Sequence, residues 1–279
     1  MSGRTWLVTG CSTGLGRALA RRVLERGGRC VVTARNAAQV ADIANAHADT
    51  ALALSLDVRD GKQRKEAIAR AVERFGPIDV LVNNAGHGYS GAVEEGDEAE
   101  VRAMFDTNFF GLAAMVREVL PGMRGRKSGH IVNVSSIGGL VGNLGSGYYN
   151  ASKFAVEGLS QALALETAPL GIRVTLVEPG PFRTDFQGRS MQVVKRRIGA
   201  YADTVGARRI QQDKDRGREP GDPVRAADAI IDVVEGPNPP LHLVLGAAAL
   251  GRARQKLGGL LQSIDEWEKV SLATDFPKT

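Results

Sequence analysis

The stretch Trp6-Leu7-Val8-Thr9-Gly10-Cys11-Ser12-Thr13-Gly14-Leu15-Gly16 decides the fold. Its first four residues read as a buried strand, and the periodic segment 17–26 that follows reads as a helix. Between them, three glycines mark a turn in which φ > 0 and close backbone approach are allowed. A strand that runs into a helix N-terminus in this way leaves the first helical N–H groups unpaired and aligned with the macrodipole, which suits a pyrophosphate. Three residues separate the first two glycines, so the spacing departs from G-x-G-x-x-G, and a turn kept only for packing has the same appearance.

Outward from this turn, short β-branched runs alternate with longer stretches of helix formers. Candidate strands fall at 6–9, 30–33, 51–56, 78–82, 130–134, 173–177 and 241–245, and candidate helices include 17–26, 62–75 and 154–168. The strands are apolar throughout instead of alternating, as parallel strands covered on both faces are. The pattern predicts an α/β fold: a doubly wound, seven-stranded parallel sheet with helices on both faces. A length of 279 residues suits one domain with a sizeable core and is short for two domains and a linker, so 1–279 reads as a single unit.

Apolar residues make up 43% of the chain and glycines number 34, which excludes collagen-like and disordered polymers, while 2 cysteines exclude a disulfide-stapled scaffold. Cys11 and Cys30 read as free thiols. His47, His87, His130 and His242 show no metal-ligand spacing, so no metal is expected; His87 either faces a substrate or is an ordinary surface residue. No basic leader precedes the first apolar run, and the stretch 241–250 is shorter than the roughly 20 residues of a membrane span, so a cytoplasmic protein without a membrane partner is expected.

The net charge is +5. Residues 183–219 hold ten Lys or Arg and five acidic residues, and so carry the whole formal excess. An insertion of this length reads either as a substrate-covering lid or as a solvated helical pair. Its charge sits where it would attract an anionic cofactor. Nucleic acid is not an expected partner: only Phe186 and Tyr201 interleave with the cations, and no recognition-helix or zinc signature is present.

Three further motifs carry chemistry. In Tyr149-Asn150-Ala151-Ser152-Lys153 the i, i+4 spacing puts the Lys153 ammonium one helical turn from the Tyr149 phenol. A cation there favours the phenolate and lowers a pKa that starts at about 10, as proton transfer near neutrality requires. Tyr148 lies one residue off that face and reads as a packing or substrate-side residue. Asn133-Val134-Ser135-Ser136 ends the fifth strand, where a hydroxyl points into the ligand crevice of a parallel sheet. Asn83-Asn84-Ala85-Gly86 ends the fourth strand, either admitting a planar ligand or simply forming a turn.

In this order, on alternating elements, the motifs resemble the short-chain dehydrogenase/reductase family over essentially the whole chain. Asn108 in Asp106-Thr107-Asn108-Phe109 and the run Glu178-Pro179-Gly180-Pro181-Phe182-Arg183-Thr184 extend the resemblance. It implies a Rossmann fold and an oxidoreductase that interconverts a carbonyl and an alcohol by hydride transfer. It implies that Tyr149 is the general acid or base and that Ser136, favoured over Ser135 by its spacing to Tyr149, holds the substrate oxygen. Lys153 would tune Tyr149 and bind the nicotinamide ribose, and Asn108 would hold a water linking Lys153 to solvent. The implied cofactor contacts are Gly10, Ser12, Thr13, Gly14, Leu15, Asp57, Val58, Asn83, Ala85, Gly86, Tyr149, Lys153, Pro179, Gly180, Phe182 and Thr184, with Asp57 and Val58 at the adenine and Thr184 at the carboxamide.

The second strand ends Ala34-Arg35-Asn36, without an acidic partner for a ribose 2′-OH and with a guanidinium able to pair with a phosphate. This points to NADP(H) over NAD(H), and an NADP preference suggests reduction. A likeness to steroid and retinol dehydrogenases implies a hydrophobic alcohol or ketone. The resemblance also implies a homodimer or homotetramer that pairs helices at 111–122 and 152–168, although Phe154, Leu159, Leu163 and Ala164 equally suit packing on the sheet. The competing reading is a catalytically idle dinucleotide-binding redox sensor. The complete set Asn108, Ser136, Tyr149 and Lys153 argues against it.

Overall fold

The computed structural model describes residues 3–276. In chain order the elements are β1 (Thr5–Val8), α1 (Gly14–Glu25), β2 (Arg29–Ala34), α2 (Ala41–Ala46), β3 (Ala51–Ser55), α3 (Gly61–Phe75), β4 (Val80–Asn83), β5 (Gly88–Ser90), α4 (Glu98–Phe105) and α5 (Leu112–Arg126). There follow β6 (Gly129–Val134), α6 (Gly147–Thr167), β7 (Ile172–Pro179), β8 (Met191–Val193), α7 (Ala207–Asp215), α8 (Pro223–Glu235), β9 (His242–Leu245), α9 (Ala247–Glu266) and α10 (Glu268–Leu272).

The seven strands expected from the sequence form one parallel sheet in the order β3-β2-β1-β4-β6-β7-β9. Leu7 of β1 is in register with Val31 on one side and Leu81 on the other. The order reverses between β1 and β4, and the carboxyl ends of those two strands frame the crevice in which such sheets bind ligands. Successive residues face opposite ways, so each strand feeds two cores. Trp6 and Val8 pack with Leu19, Val23, Ile230 and Val234 under α1 and α8. Leu7 packs with Val31, Leu81, Ile131, Met115 and Val156 under α5 and α6.

Local chemistry sets the helix starts. The Asp60 carboxylate accepts from the Lys62 and Gln63 N–H groups and opens α3, and Asp222, followed by Pro223, opens α8 in the same way. Arg22 of α1 and Arg26, which follows its last turn, pair with Asp228 of α8 at 2.9 and 2.6 Å, orienting two helices whose main attraction is the apolar core beneath them.

Two features were not anticipated. A second, two-stranded parallel sheet joins β5 to β8; each strand has three residues, too few for a readable period. The segment 183–219, expected as a lid or a helical pair, contains β8 and α7 and is strapped to residues 88–100. The Gly88 N–H donates to the Ser190 carbonyl at 2.8 Å and the Val194 N–H to the Ser90 carbonyl at 3.0 Å. Buried Glu95 accepts from the Ile198 N–H at 2.9 Å and faces Arg209 at 3.6 Å, while Lys195 faces Glu100 at 3.8 Å. Two cations of the segment, Lys195 and Arg209, are thus answered by the acidic stretch Glu94-Glu95-Gly96-Asp97-Glu98-Ala99-Glu100. Among the described residues no helix is long and apolar enough to cross a membrane.

Candidate active site

Gly10 and Gly16 are where the turn after β1 demands glycine. Gly10 has φ +72°, and a Cβ there would lie 2.9 Å from the Ala85 Cα; at Gly16 a Cβ would lie 2.2 Å from the Asn84 Nδ2. This contact is built by Asn84, whose amide donates to the Thr9 and Gly10 carbonyls at 2.9 and 3.0 Å. Thr9 Oγ1 in turn accepts from the Asn84 and Ala85 N–H groups. Thr9 and Asn84 thus stitch the two strand ends of the crevice together, a role that sequence reasoning left unassigned although Asn84 stood in a quoted motif. Thr13 is the N-cap of α1 and makes no side-chain cap, which leaves the first helical N–H groups facing outward. A backbone cradle that a single Cβ would fill, beside a helix N-terminus, fits a pyrophosphate.

Other expected cofactor positions gather here unevenly. The Thr184 side chain lies 3.5 Å from the Cβ position of Gly14, beside Leu15, and Arg189 Nη2 reaches Ser12 Oγ at 3.4 Å. Arg35 is exposed at the end of β2. The Asp57 carboxylate is held by Arg59 at 2.6 Å, and that guanidinium keeps its pKa below the ordinary carboxylate value. Val58 is buried against Gly111. Two expected side chains point elsewhere. The Asn83 amide donates to Asn133 Oδ1 at 2.9 Å within the sheet layer, because strand alternation turns it into the core; Asn83 offers the crevice its backbone alone. Phe182 lies against Gly221 and Gly246, away from the glycine turn, and Gly180 is tied by its N–H to the Leu245 carbonyl at 2.9 Å, with Pro179 in register beside Leu245.

Tyr149 and Lys153 lie one turn apart on α6. Lys153 is buried, its Nζ 2.8 Å from the Val134 carbonyl and 5.9 Å from the Tyr149 ring centroid. A Cβ on Gly138 would stand 3.3 Å from Ser136 Oγ and 3.4 Å from Tyr149 Cε1, so these two groups flank one small residue. Ser135 instead faces Glu157: a Cβ on Gly139 would meet its Oγ at 2.6 Å and Glu157 Oε1 at 2.9 Å. Asn108 sits in a π-bulge, Asp106–Gly111, between α4 and α5, where the widened turn breaks the regular helical bonding. Its amide donates to the His87 carbonyl at 2.9 Å and to Ser152 Oγ at 3.2 Å, and its Oδ1 accepts from the His87 N–H at 2.9 Å. At Gly86 a Cβ would stand 3.0 Å from Asn108 Oδ1 and 3.9 Å from Lys153 Nζ. Gly86, Asn108 and Lys153 therefore share one corner of the site.

Burial governs the protonation of the Tyr149 and Lys153 pair. Burial pushes the Tyr149 phenol up to about 12, with a hydrogen bond from Ser136 as the opposing influence. Burial brings the Lys153 ammonium down to about 8, against the favourable charge of Glu157. Desolvation is the largest influence on both groups, and the ammonium is hydrogen-bonded to the Val134 carbonyl. His87 is lowered by burial, with Arg35, Arg59 and Lys153 adding to the shift.

Around the site, the Phe186 ring approaches Tyr149 with centroids 5.7 Å apart. Tyr148 donates to the Val93 carbonyl at 3.0 Å and packs edge-on against Tyr89, which makes it a packing residue. Both cysteines are buried and free; burial pushes the Cys11 thiol up to about 12. His130 is a core residue bonded to Thr175 Oγ1 at 2.9 Å. Sequence spacing missed a cluster that the topology assembles from α6, β7 and β9: Glu157, Glu178 and His242 place ligand-type atoms within 4.8 Å of one another, with His242 Nδ1 2.6 Å from Glu178.

Comparison with known proteins places this arrangement. A family model for short chain dehydrogenases matches residues 4–194. The oxidoreductase BOA17 of Botryotinia fuckeliana is 38% identical over 272 residues, which are 97% of this chain and 99% of that protein. A crystal structure of a short-chain dehydrogenase from Streptomyces avermitilis is similar at 42% identity with a TM-score of 0.92, covering 98% of this chain and 99% of that one. A short chain dehydrogenase/reductase from Burkholderia phymatum, in complex with NAD, is similar at 25% identity and a TM-score of 0.79 over 91% of this chain and 92% of that one. The chain therefore belongs to the short-chain dehydrogenase family, oxidoreductases on a Rossmann-like fold that binds an NAD(P) dinucleotide.

Proposed function

We propose that the protein reduces a hydrophobic ketone or aldehyde to the alcohol with NADPH, Tyr149 delivering the proton. The observation that carries this reading is the juxtaposition of Ser136 and Tyr149 across Gly138, with Lys153 buried one turn below. Ser136 Oγ holds the substrate oxygen within reach of the phenol. A phenol pushed up to about 12 keeps its proton at neutral pH, and that is the form carbonyl reduction consumes. Lys153, brought down to about 8, stays mostly charged there and replaces the proton. Asn108, fixed by three hydrogen bonds in the π-bulge, keeps the inner end of the proton path open near Lys153. When bound, the nicotinamide supplies the hydride.

Arg35 at the tip of β2 supports NADP over NAD, since its guanidinium is free to meet a 2′-phosphate. The Phe186 ring beside Tyr149 supports an apolar substrate, and the 183–219 segment that carries it is read as the cover of the substrate cavity. Tyr149→Phe tests the proposal. NADPH consumption with a panel of ketones, aldehydes, steroids and retinoids is expected to fall about 10²- to 10⁴-fold, while NADPH binding followed by fluorescence stays unchanged. Substantial turnover by this variant would reject Tyr149 as the proton donor.

A further inference from the structure

The last long helix leaves the body of the protein with its apolar face uncovered. At the start of α9, Ala249 and Ala253 pack against Ile137, Leu140, Val141 and Val244, and Arg252 reaches back to Asn143. At 3.6 residues per turn, Leu257, Leu260, Ile264 and Trp267 continue that same face, with Leu250 and Leu261 at its margin. Beyond Ala253 the face is bare: Leu257, Leu260, Ile264 and Trp267 are exposed, Trp267 by 62%. The alternating three- and four-residue spacing of Leu250, Ala253, Leu257, Leu260, Ile264 and Trp267 is that of a helix packed along another helix. A contiguous apolar stripe of this kind marks an interaction surface.

Charge along the helix selects the partner. Its first half carries Arg252, Arg254 and Lys256, and its end carries Asp265, Glu266 and Glu268 against the single Lys269. An anionic membrane surface would attract one half and repel the other. A second copy laid parallel would set like charges side by side. Laid antiparallel, it sets Arg254 and Lys256 beside the acidic end of its mate, twice by symmetry, and opposes the two helix dipoles favourably.

We propose that the protein self-associates through α9, two copies pairing antiparallel about a two-fold axis, with Leu257 of one opposite Trp267 of the other and Leu260 opposite Ile264. This surface is separate from the helices at 111–122 and 152–168 and does not depend on the catalytic reading.

Sedimentation velocity of the full chain across a concentration series tests it. The assembly mass is expected to halve in the Leu260→Glu/Ile264→Glu double variant, with the melting transition showing that the domain stays folded. Arg254→Glu, which alters no apolar residue, is expected to weaken association, and adding Glu268→Arg in the same chain is expected to restore it. Equal masses for the wild type and both variants overturn the proposal. So does stronger association of Arg254→Glu, which would indicate a parallel pair. Capture of the wild type by phosphatidylserine vesicles without self-association would give the stripe to a membrane instead.

Discussion

Arg35 stands exposed at the tip of β2, close enough to Asp57 and His87 for its charge to favour the Asp57 carboxylate and disfavour the protonated imidazole. If it reads a 2′-phosphate, Arg35→Asp removes a charge-assisted hydrogen bond and adds repulsion. The expected outcome is a drop of about 10- to 100-fold in kcat/KM for NADPH relative to NADH. An unchanged ratio in steady-state assays with both cofactors would reject that role. At this scale, legibility followed spacing. Tyr149 with Lys153, and Ser136 thirteen residues before Tyr149, stand together as the sequence order implies, because one helix and one strand end fix their separation. Asn83 and Asn84 show the limit. The two amides are adjacent in sequence and opposite in role, one bonded into the sheet layer and one bracing the glycine turn, and only the alternation of β4 decides which is which.

Among the elements, the turn from β1 into α1 is tightly constrained, since the Asn84 amide occupies the space that a side chain at Gly16 would need. Gly16→Ala is expected to displace that amide, loosen the Thr9 and Gly10 carbonyls, and destabilise the fold by about 1–3 kcal/mol as an overpacked site does. Thermal melting should fall by about 2–4 °C for each kcal/mol, and cofactor affinity should fall further than stability alone explains. A Gly16→Ala protein with wild-type melting and affinity would show that the contact is soft. The seven sheet strands were legible because parallel strands covered on both faces are continuously apolar. The β5–β8 pair was not, since its three-residue strands are held by backbone bonds and by Glu95, and a pattern of side chains reports neither.

Over the whole molecule, a buried carboxylate pair and a buried histidine pull stability in opposite directions with pH. Burial raises Glu157 and Glu178 to about 7, with the charge of Glu178 adding to the shift of Glu157, so from about 4.5 to 7 the folded state holds more protons than the unfolded chain and this contribution to stability is lost as pH rises. Burial lowers His130 to about 4; the folded state then holds fewer protons up to about 6.5, and this contribution grows with pH across that window. Glu178→Gln removes the share of Glu178 in the first effect, relieves Glu157 of a neighbouring charge, and keeps the second effect. Its melting temperature relative to wild type is therefore expected to rise by about 2–4 °C between pH 5 and pH 8. A difference independent of pH in calorimetric scans would mean that the carboxylates ionise without cost. The first effect is not legible in sequence, because Glu157, Glu178 and His242 come from three elements joined only by the topology.

The strap between 183–219 and 88–100 changes what variation in this protein must respect. Residues 94–100 hold five acidic residues, of which Glu95 and Glu100 pair with Arg209 and Lys195 of 183–219. Glu95 and Arg209, more than a hundred positions apart, meet in the fold. A substitution in 183–219 therefore also alters its fit to a remote acidic partner. The two segments are not free to drift separately: a graft or a recombination breakpoint that moves one without the other separates the halves of a matched pair.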